Sequence, residues 1–413
     1  MQRIRRTVND LAYRAFCVGT KLAQAPAVIR EGTPRILSDE VTTPVQGDRF
    51  AIVVKYAKFG LTEDFTDLLA ALKRARVNAI VVCNGHLAPE EAARLRSLAH
   101  RIMVRPNIGR DMGAYRAATL HLHRSGLMPS RVLYFNDSVI YLRGQGLDDM
   151  VAALAESSYD VAGTFENHEF AHHVGTYAFS ISGAVFADRN VQRFWRRYRP
   201  YDLRPYAIRR GEVAYTECVR RCGYRIDVIY SADKLASRLG ALPFHTLVEH
   251  LRYIPFGAFR DYAINDLIAG AVKTGALLYR KAPESAPPPA RTPRLSDYRS
   301  RTVPTNEEAE AHAQFLRLSE TMKSEVLINH MMGLIINCSQ VHYGFGLFHR
   351  VMGSPLVKKD LLVRGVFFEH DCTRILDTVP AERRNGIMRE LISRGRPVNF
   401  DWMRRFRLRH GLI

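Results

Sequence analysis

Apolar and polar positions change period several times along the chain. In the first thirty residues Ile4, Val8, Leu11, Ala15, Val18 and Leu22 recur at spacings of three and four, which predicts a helix with one apolar stripe. From residue 50 the period shortens. The segments 50–55 (FAIVVK), 78–83 (NAIVVC), 101–105 (RIMVR) and 131–135 (RVLYF) are short apolar runs, mostly β-branched, and each predicts a buried strand. Helical spacing returns between them. Phe65, Leu68, Leu69 and Leu72 share one face of a helix over 63–75, Pro89 opens another that reaches 100, and a third runs from 114 to about 124. Such alternation predicts parallel βαβ units, in which ligands bind beyond the carboxyl ends of the strands.

After residue 160 the order is looser. Segments 160–164, 177–186 and 224–230 read as strands, and 191–198 and 212–222 as helices. Residues 236–280 read as helical, with Leu247, Leu251 and Ile254 on one face. The proline-rich stretch 282–305 predicts an extended linker, after which Asn306 is placed to cap a further helix running, with breaks, towards 352. No internal repeat occurs. The division expected is a basic amphipathic segment 1–47, an α/β core 48–235, a helical insertion 236–329 and a C-terminal helical part 330–413 that completes the core.

Length and composition fit this picture: 413 residues suggest two to three domains, and 47% hydrophobic with 24% charged residues is ordinary for a folded protein. Charge changes it. Lys and Arg number 60 against 41 Asp and Glu, a net +19 that calls for an anionic partner. No run of 18 apolar residues is present, the N-terminus lacks the apolar core of a signal peptide, and six cysteines without a close CxxC make no disulfide framework. These features predict a reduced, cytoplasmic chain. Residues 1–30 suit either an anionic membrane surface or packing on the body with a solvated basic face. No recognition helix, RNP-like motif or zinc finger accompanies the arginines, so nucleic acid is not the expected partner.

Four post-strand sites converge if the sheet is parallel: Lys55-Tyr56, Asn84-Gly85, the loop from Asn107 through Gly109, Arg110 and Asp111 to Gly113, and Asn136-Asp137-Ser138. Asp111 stands between two glycines at a helix mouth, where it would either hydrogen-bond a ligand or cap the helix. Asn136-Asp137-Ser138 suits a hard cation such as Mg²⁺ or Mn²⁺, which takes one or two carboxylates plus substrate phosphates; the same residues also make turns. Residues 166–173 (ENHEFAHH) lack the arrangement of a known zinc signature and read better as a polar sugar- or phosphate-binding loop. Residues 189–225 hold eleven arginines and three acids, Asp202, Glu212 and Glu217. A carboxylate among arginines stays ionised, whether as an ion-pair member or as a general base.

The order of these motifs resembles the rhamnan synthesis protein F family, bacterial glycosyltransferases of cell-surface polysaccharide assembly. The resemblance lies in the strand at 50–56, RPNIGRDMGAY at 105–115, LYFNDS at 133–138, HVGTY at 173–177 with Phe194-Trp195 downstream, Glu212 followed by Gly223-Tyr224, and GSPLVKKDLL at 353–362. It covers roughly residues 48–235 and 330–375. It implies a GT-A-like fold, an α/β nucleotide-sugar-binding sheet with flanking helices. It also implies transfer of a sugar, rhamnose or another deoxyhexose, from a nucleotide-diphosphate donor to a glycan or lipid-linked acceptor, with inversion. Asp111 would then lie near the nucleotide, and Asn136-Asp137-Ser138 in the place of the DXD motif, with Asp137 the one remaining carboxylate for a metal. Glu212, with Glu217 beside it, would supply the base; His173, Tyr177 and Trp195 would line the acceptor side; Lys358 or Lys359 would reach the diphosphate. The enzyme would work peripherally on the inner face of the cytoplasmic membrane. The alternative is a non-catalytic member of the fold that binds glycan or nucleotide sugar within an assembly complex.

Overall fold

The structure, a computed structural model, describes residues 2–56, 60–168, 170–255, 313, 317–336, 339–395, 400–409 and 412. The proline-rich stretch 282–305 and the expected cap Asn306 lie outside them. The chain forms two compact units: Met1–Ser231 with Ser354–Asp360 and Glu390–Ile413, and Ala232–Gly353 with Leu361–Arg389.

The first unit is built on an eight-stranded sheet. Its strands are β1 (Ser38–Val41), β2 (Arg49–Tyr56), β3 (Asn78–Asn84), β4 (Arg101–Arg105), β5 (Arg131–Asn136), β7 (Val161–Gly163), β10 (Ala178–Ser182) and β11 (Ile226–Val228), in the order β1-β4-β3-β2-β5-β10-β7-β11. Strands β4, β3, β2 and β5 run parallel, while β10 is antiparallel to both β5 and β7. Strands β3 and β5 are buried along their whole length and β2 along all but its ends. A sheet covered on both faces leaves apolar runs rather than alternation, which is why these strands were legible in the sequence. Two short pairs complete the unit: β6 (Val139–Tyr141) with β12 (Leu356–Lys358), and β8 (Glu166–Asn167) with β9 (His173–Val174).

Helices α2 (Glu63–Arg74), α3 (Pro89–Arg96) and α4 (Arg110–Arg124) follow β2, β3 and β4 in turn, and α5 (Gln145–Ala155) follows β6. After β10 come α6 (Gly183–Ala187), α7 (Arg189–Arg197), α8 (Arg204–Tyr206), a π-helical turn Ala207–Val213, and α9 (Ala214–Arg221). Phe50, Ile52, Val54, Val132 and Tyr134 on the sheet pack in one core with Tyr115 of α4, Trp195 of α7 and Tyr215 of α9. Within it Tyr134 stacks on Phe179 at 4.6 Å between ring centroids, and Trp195 lies 5.2 Å from Tyr215.

Several boundaries differ from the sequence expectation. Helix α4 begins at Arg110 rather than 114, because Gly109 adopts φ 79° and the first turn closes around Asp111. The expected strand 177–186 stops at Ser182, whose hydroxyl caps α6 by accepting from Val185 N. The four-residue β1 was not expected: its sequence is polar, and ion pairs Asp39–Arg101 and Glu40–Arg96 hold it at the sheet edge.

Helix α1 (Gln2–Arg30) carries two apolar faces. One packs on the body: Val28 is buried, Phe16 meets Phe406 edge-on, and Gln24 Oε1 accepts from Asp202 N at 2.8 Å. The other holds Leu11, Val18, Leu22 and Ile29, each more than half exposed. At Leu11, Val18 and Leu22 the stripe read from the sequence therefore meets solvent rather than the body.

In the second unit, helices Ala232–Gly240, Phe244–His250, Glu320–Ile336, Phe345–Met352 and Glu369–Ile375 surround a core that includes Leu247, Leu251 and Ile254, all fully buried as their spacing predicts. Gly346 is required there, since a Cβ would stand 2.2 Å from the Tyr253 carbonyl oxygen. Among the described residues no helix is long and apolar enough to cross a membrane.

Candidate functional site

The carboxyl ends of β2 and β5 and the mouth of α4 bring four polar groups together. The turn after β5 hydrogen-bonds internally, Asn136 Oδ1 accepting from Ser138 N at 3.0 Å. Its other groups are directed elsewhere. Asn136 Nδ2 donates to Asp111 Oδ2 at 2.7 Å, and Asp137 Oδ2 accepts from Tyr56 N at 2.8 Å. The residues thus form a turn and a polar cluster at once.

Asp111 Oδ1 accepts from Met112 N at 3.2 Å in the first turn of α4, but it does not reach the amides of Gly109 and Arg110. Those fall to Asp202, whose Oδ1 accepts from Gly109 N at 2.6 Å and Arg110 N at 3.1 Å, two of the amides a helix leaves unpaired. A Cβ at Gly109 would stand 2.2 Å from Pro200 Cβ, so the close approach of the 200–202 segment demands glycine there. The second Asp111 oxygen, Oδ2, is left to face Asn136.

Strand β12 adds a cation from 220 residues away. It pairs Lys358 with Val139, and Lys358 Nζ donates to Ser138 Oγ at 3.0 Å while lying 4.3 Å from the centre of the Tyr177 ring. Burial lowers the Lys358 pKa, and Asp360, Glu212 and Asp111 pull it back up. Lys359 points elsewhere, paired with Glu390 at 2.7 Å and Asp64 at 4.0 Å. Of the two lysines, the one at the cluster is Lys358.

Glu212 sits in the π-helical turn before α9, the kind of local widening of a helix that recurs at functional sites. Its Oε2 lies 3.4 Å from His173 Nε2. The other ring nitrogen, Nδ1, is 2.8 Å from the Ala171 carbonyl, which orients the imidazole and directs Nε2 at the carboxylate. Tyr177 closes this side; burial and then Glu212 push its phenol well above the ordinary range.

Other expected site residues have structural work. Trp195 is 1% exposed and lies in the core, because Val191 and Trp195, one turn apart, form the buried face of α7. It lines no surface, which corrects its expected acceptor role. Glu217 is exposed on α9, paired with Arg221 one turn on, and stands apart from the cluster. The buried Lys55 ammonium is committed to Glu91 at 3.2 Å. Asn84 accepts from Arg105 Nη1 at 2.6 Å and donates to the Arg110 carbonyl. Asn107 is exposed on the loop and Arg110 is exposed at the start of α4, while Tyr56 contributes its backbone N–H. Sequence reasoning missed Asp202, Arg105 and Glu31; the last two form a buried ion pair behind the loop, Arg105 Nη2 to Glu31 Oε2 at 3.3 Å.

Asp111 and Asp137 are the two carboxylates at this end of the sheet, and a hard cation takes one or two carboxylates together with substrate phosphates. Burial pushes both carboxyls up; Arg110 and Lys358 pull Asp111 back down, and Lys359 does the same for Asp137, which Asp111 raises slightly.

Comparison with known proteins points to the same family over part of the chain, without the 50–56 strand. The family model described as rhamnan synthesis protein F matches residues 79–251, which stops short of the 353–362 segment. The uncharacterized protein y4gN of Sinorhizobium fredii is 28% identical over 196 residues, 46% of this chain and 51% of that protein. The chain thus spans about half the length of the curated relative it matches. Among solved structures, the mannosyltransferase PcManGT of Pyrobaculum calidifontis, in complex with GDP-Man and Mn²⁺, aligns at 12% identity and TM-score 0.29 over 80% of this chain and 98% of its own. The glycosyltransferase GlyE of Streptococcus pneumoniae aligns at 10% identity and TM-score 0.23 over 36% and 37%.

Proposed function

We propose, for a chain whose residues 79–251 match the rhamnan synthesis protein F model, that the cluster is the active site of a nucleotide-sugar glycosyltransferase. The observation that carries this reading is the convergence of Asp111, Asp137, Glu212 and Lys358 on one end of a parallel sheet. Donor diphosphate would lie against Lys358 and the Asp111–Asp137 pair. A Mg²⁺ or Mn²⁺ ion held by Asp137 and Asp111 would supply further charge neutralisation to the diphosphate. The acceptor hydroxyl oxygen forms the new bond to the anomeric carbon from the face opposite the diphosphate. Its proton passes to Glu212, the bond from carbon to phosphate oxygen breaks, and the electron pair leaves with the nucleoside diphosphate. A single displacement of this kind inverts the anomeric centre. The choice of rhamnose or another deoxyhexose as donor rests on the family's description alone.

Thermal stabilisation against a panel of nucleotides and nucleotide sugars, with and without Mg²⁺ or Mn²⁺, tests the donor site. One nucleoside diphosphate should raise the melting temperature, more so with metal. Lys358→Met should weaken that nucleotide by about 1.5–3 kcal/mol, roughly tenfold to more than a hundredfold, the usual worth of a hydrogen bond to a charged group. Unchanged affinity would remove Lys358 from the donor site. Binding without turnover in the wild-type protein would instead support the non-catalytic, glycan-assembly reading.

The acceptor is a glycan carried on lipid, and α1 is the element suited to meet the membrane. Its exposed stripe of Leu11, Val18, Leu22 and Ile29 is flanked by Arg14, Lys21 and Arg30, an apolar face with basic edges. Full-length protein should float with phosphatidylglycerol vesicles and much less with neutral ones. The triple substitution Leu11→Ser, Val18→Ser, Leu22→Ser, all exposed and away from Phe16, should abolish most of the flotation. Equal flotation of the two proteins would refute the role of α1.

A further inference from the structure

The β8–β9 hairpin, whose His173 faces Glu212, brings together a second set of ligand-type side chains. Glu166 pairs with Val174 and Asn167 with His173, so the register places His168 opposite His172 at the next position. Glu166 and His168, two residues apart, share one face of that arm. The result is compact: Glu166 Oε2 is 2.7 Å from His172 Nε2 and 3.8 Å from His168 Nε2, and the two imidazole centres are 4.8 Å apart. One ligand atom from each of the three residues lies within 4.8 Å of the others. Ligands of a tetrahedral zinc, at about 2.0–2.2 Å from the ion, stand about 3.3 Å from one another. Closing the gap needs side-chain shifts of about an ångström.

We propose that Glu166, His168 and His172 form a binding site for a first-row divalent transition metal of the zinc type, with a fourth position open to water or a hydroxyl oxygen. Two imidazoles and one carboxylate are borderline ligands that suit zinc, unlike the all-oxygen pair Asp111 and Asp137, which suits Mg²⁺ or Mn²⁺. The site is thus chemically distinct from the donor cluster and does not depend on sugar transfer. Arg220 sets its resting state. Its Nη2 donates to His172 Nδ1 at 2.6 Å, so the imidazole carries its own proton on Nε2 and gives it to Glu166. An ion on Nε2 replaces that proton. The neutral ring then carries its hydrogen on Nδ1, and the exposed Arg220 turns out to solvent. Guanidinium and metal therefore compete for the same carboxylate–imidazole pair.

The test uses tag-free full-length protein stripped with a chelator and titrated with zinc chloride by calorimetry. Binding of one equivalent is expected, lost at least a hundredfold in His168→Ala/His172→Ala and retained in Asp137→Asn. Cobalt(II) should give the visible absorption of a low-coordinate site in the wild type and not in the double variant. Arg220→Ala should tighten zinc severalfold. Circular dichroism melting of the double variant, whose substitutions lie on a short hairpin, separates loss of ligands from loss of fold. Three results would overturn the assignment: equal zinc affinity in wild type and double variant, loss of zinc on Cys218→Ser/Cys222→Ser instead, or an Arg220→Ala affinity no tighter than wild type.

Discussion

Glu212→Gln is expected to lower the kcat of sugar transfer by about 10²–10⁴-fold, the usual contribution of a positioned general base, while donor affinity and fold are kept. The amide has the size and shape of the carboxylate but takes no proton from an acceptor hydroxyl. Its tolerance follows from the surroundings. The side chain is about one-fifth exposed, and the turn that holds it is fixed by the backbone, the Glu212 carbonyl accepting from Thr216 Oγ at 3.0 Å. Single-turnover assays with a saturating donor separate the chemical step from binding. Glu217→Gln is the matched control: that carboxylate is half exposed and paired with Arg221, so turnover should not change. Full turnover in the Glu212 variant would remove the base from this position. Loss in the Glu217 variant alone would transfer the role there.

What the sequence disclosed follows from where side chains are buried. The runs that became β2, β3, β4 and β5 are apolar because both sheet faces are covered, and the polar residues just past them stood out by contrast. Asp111, Asn136 and Asp137 were found this way. Residues that act through distant contacts carried no local signal of their own; Lys358 was named only through the family resemblance, and not told apart from Lys359. Asp202 caps a helix 93 residues away from its own position, and Lys358 reaches Ser138 across 220 residues. The π turn that presents Glu212 has the composition of an ordinary helix start. Trp195 shows the opposite failure: an aromatic in a motif was read as a ligand surface, whereas its i, i+4 partner Val191 marked a core face. The stripe of α1 was visible by period, but periodicity alone does not say which face meets the body. That became decidable only with Phe16, Gln24 and Val28 seen to pack on the other side.

Arg105→Ala should destabilise the first unit by about 3–5 kcal/mol, the usual result of leaving one member of a buried ion pair alone, and should also loosen the donor site. The Arg105 and Glu31 side chains are each 1% exposed. The guanidinium joins three segments: it donates to Asn84 Oδ1 at the end of β3, to the Ile108 carbonyl in the loop before α4, and to Glu31 just past α1. Arg116 reinforces the last junction by donating to the carbonyls of Glu31 and Gly32. Removing Arg105 therefore strands a buried carboxylate and frees the loop that sets Asp111 in place. These two effects are separable. Glu31→Leu/Arg105→Leu removes both charges and should recover much of the stability, since an apolar pair of similar bulk often replaces a buried ion pair without loss. It restores no hydrogen bond to Ile108 or Asn84, so nucleotide affinity should stay weakened. Denaturant midpoints and nucleotide titrations on the single and double variants measure the two quantities independently. Recovery of both together in the double variant would mean that Arg105 acts on the site only through stability. A single variant as stable as wild type would mean that water reaches Glu31, and that the pair is not the anchor of the loop.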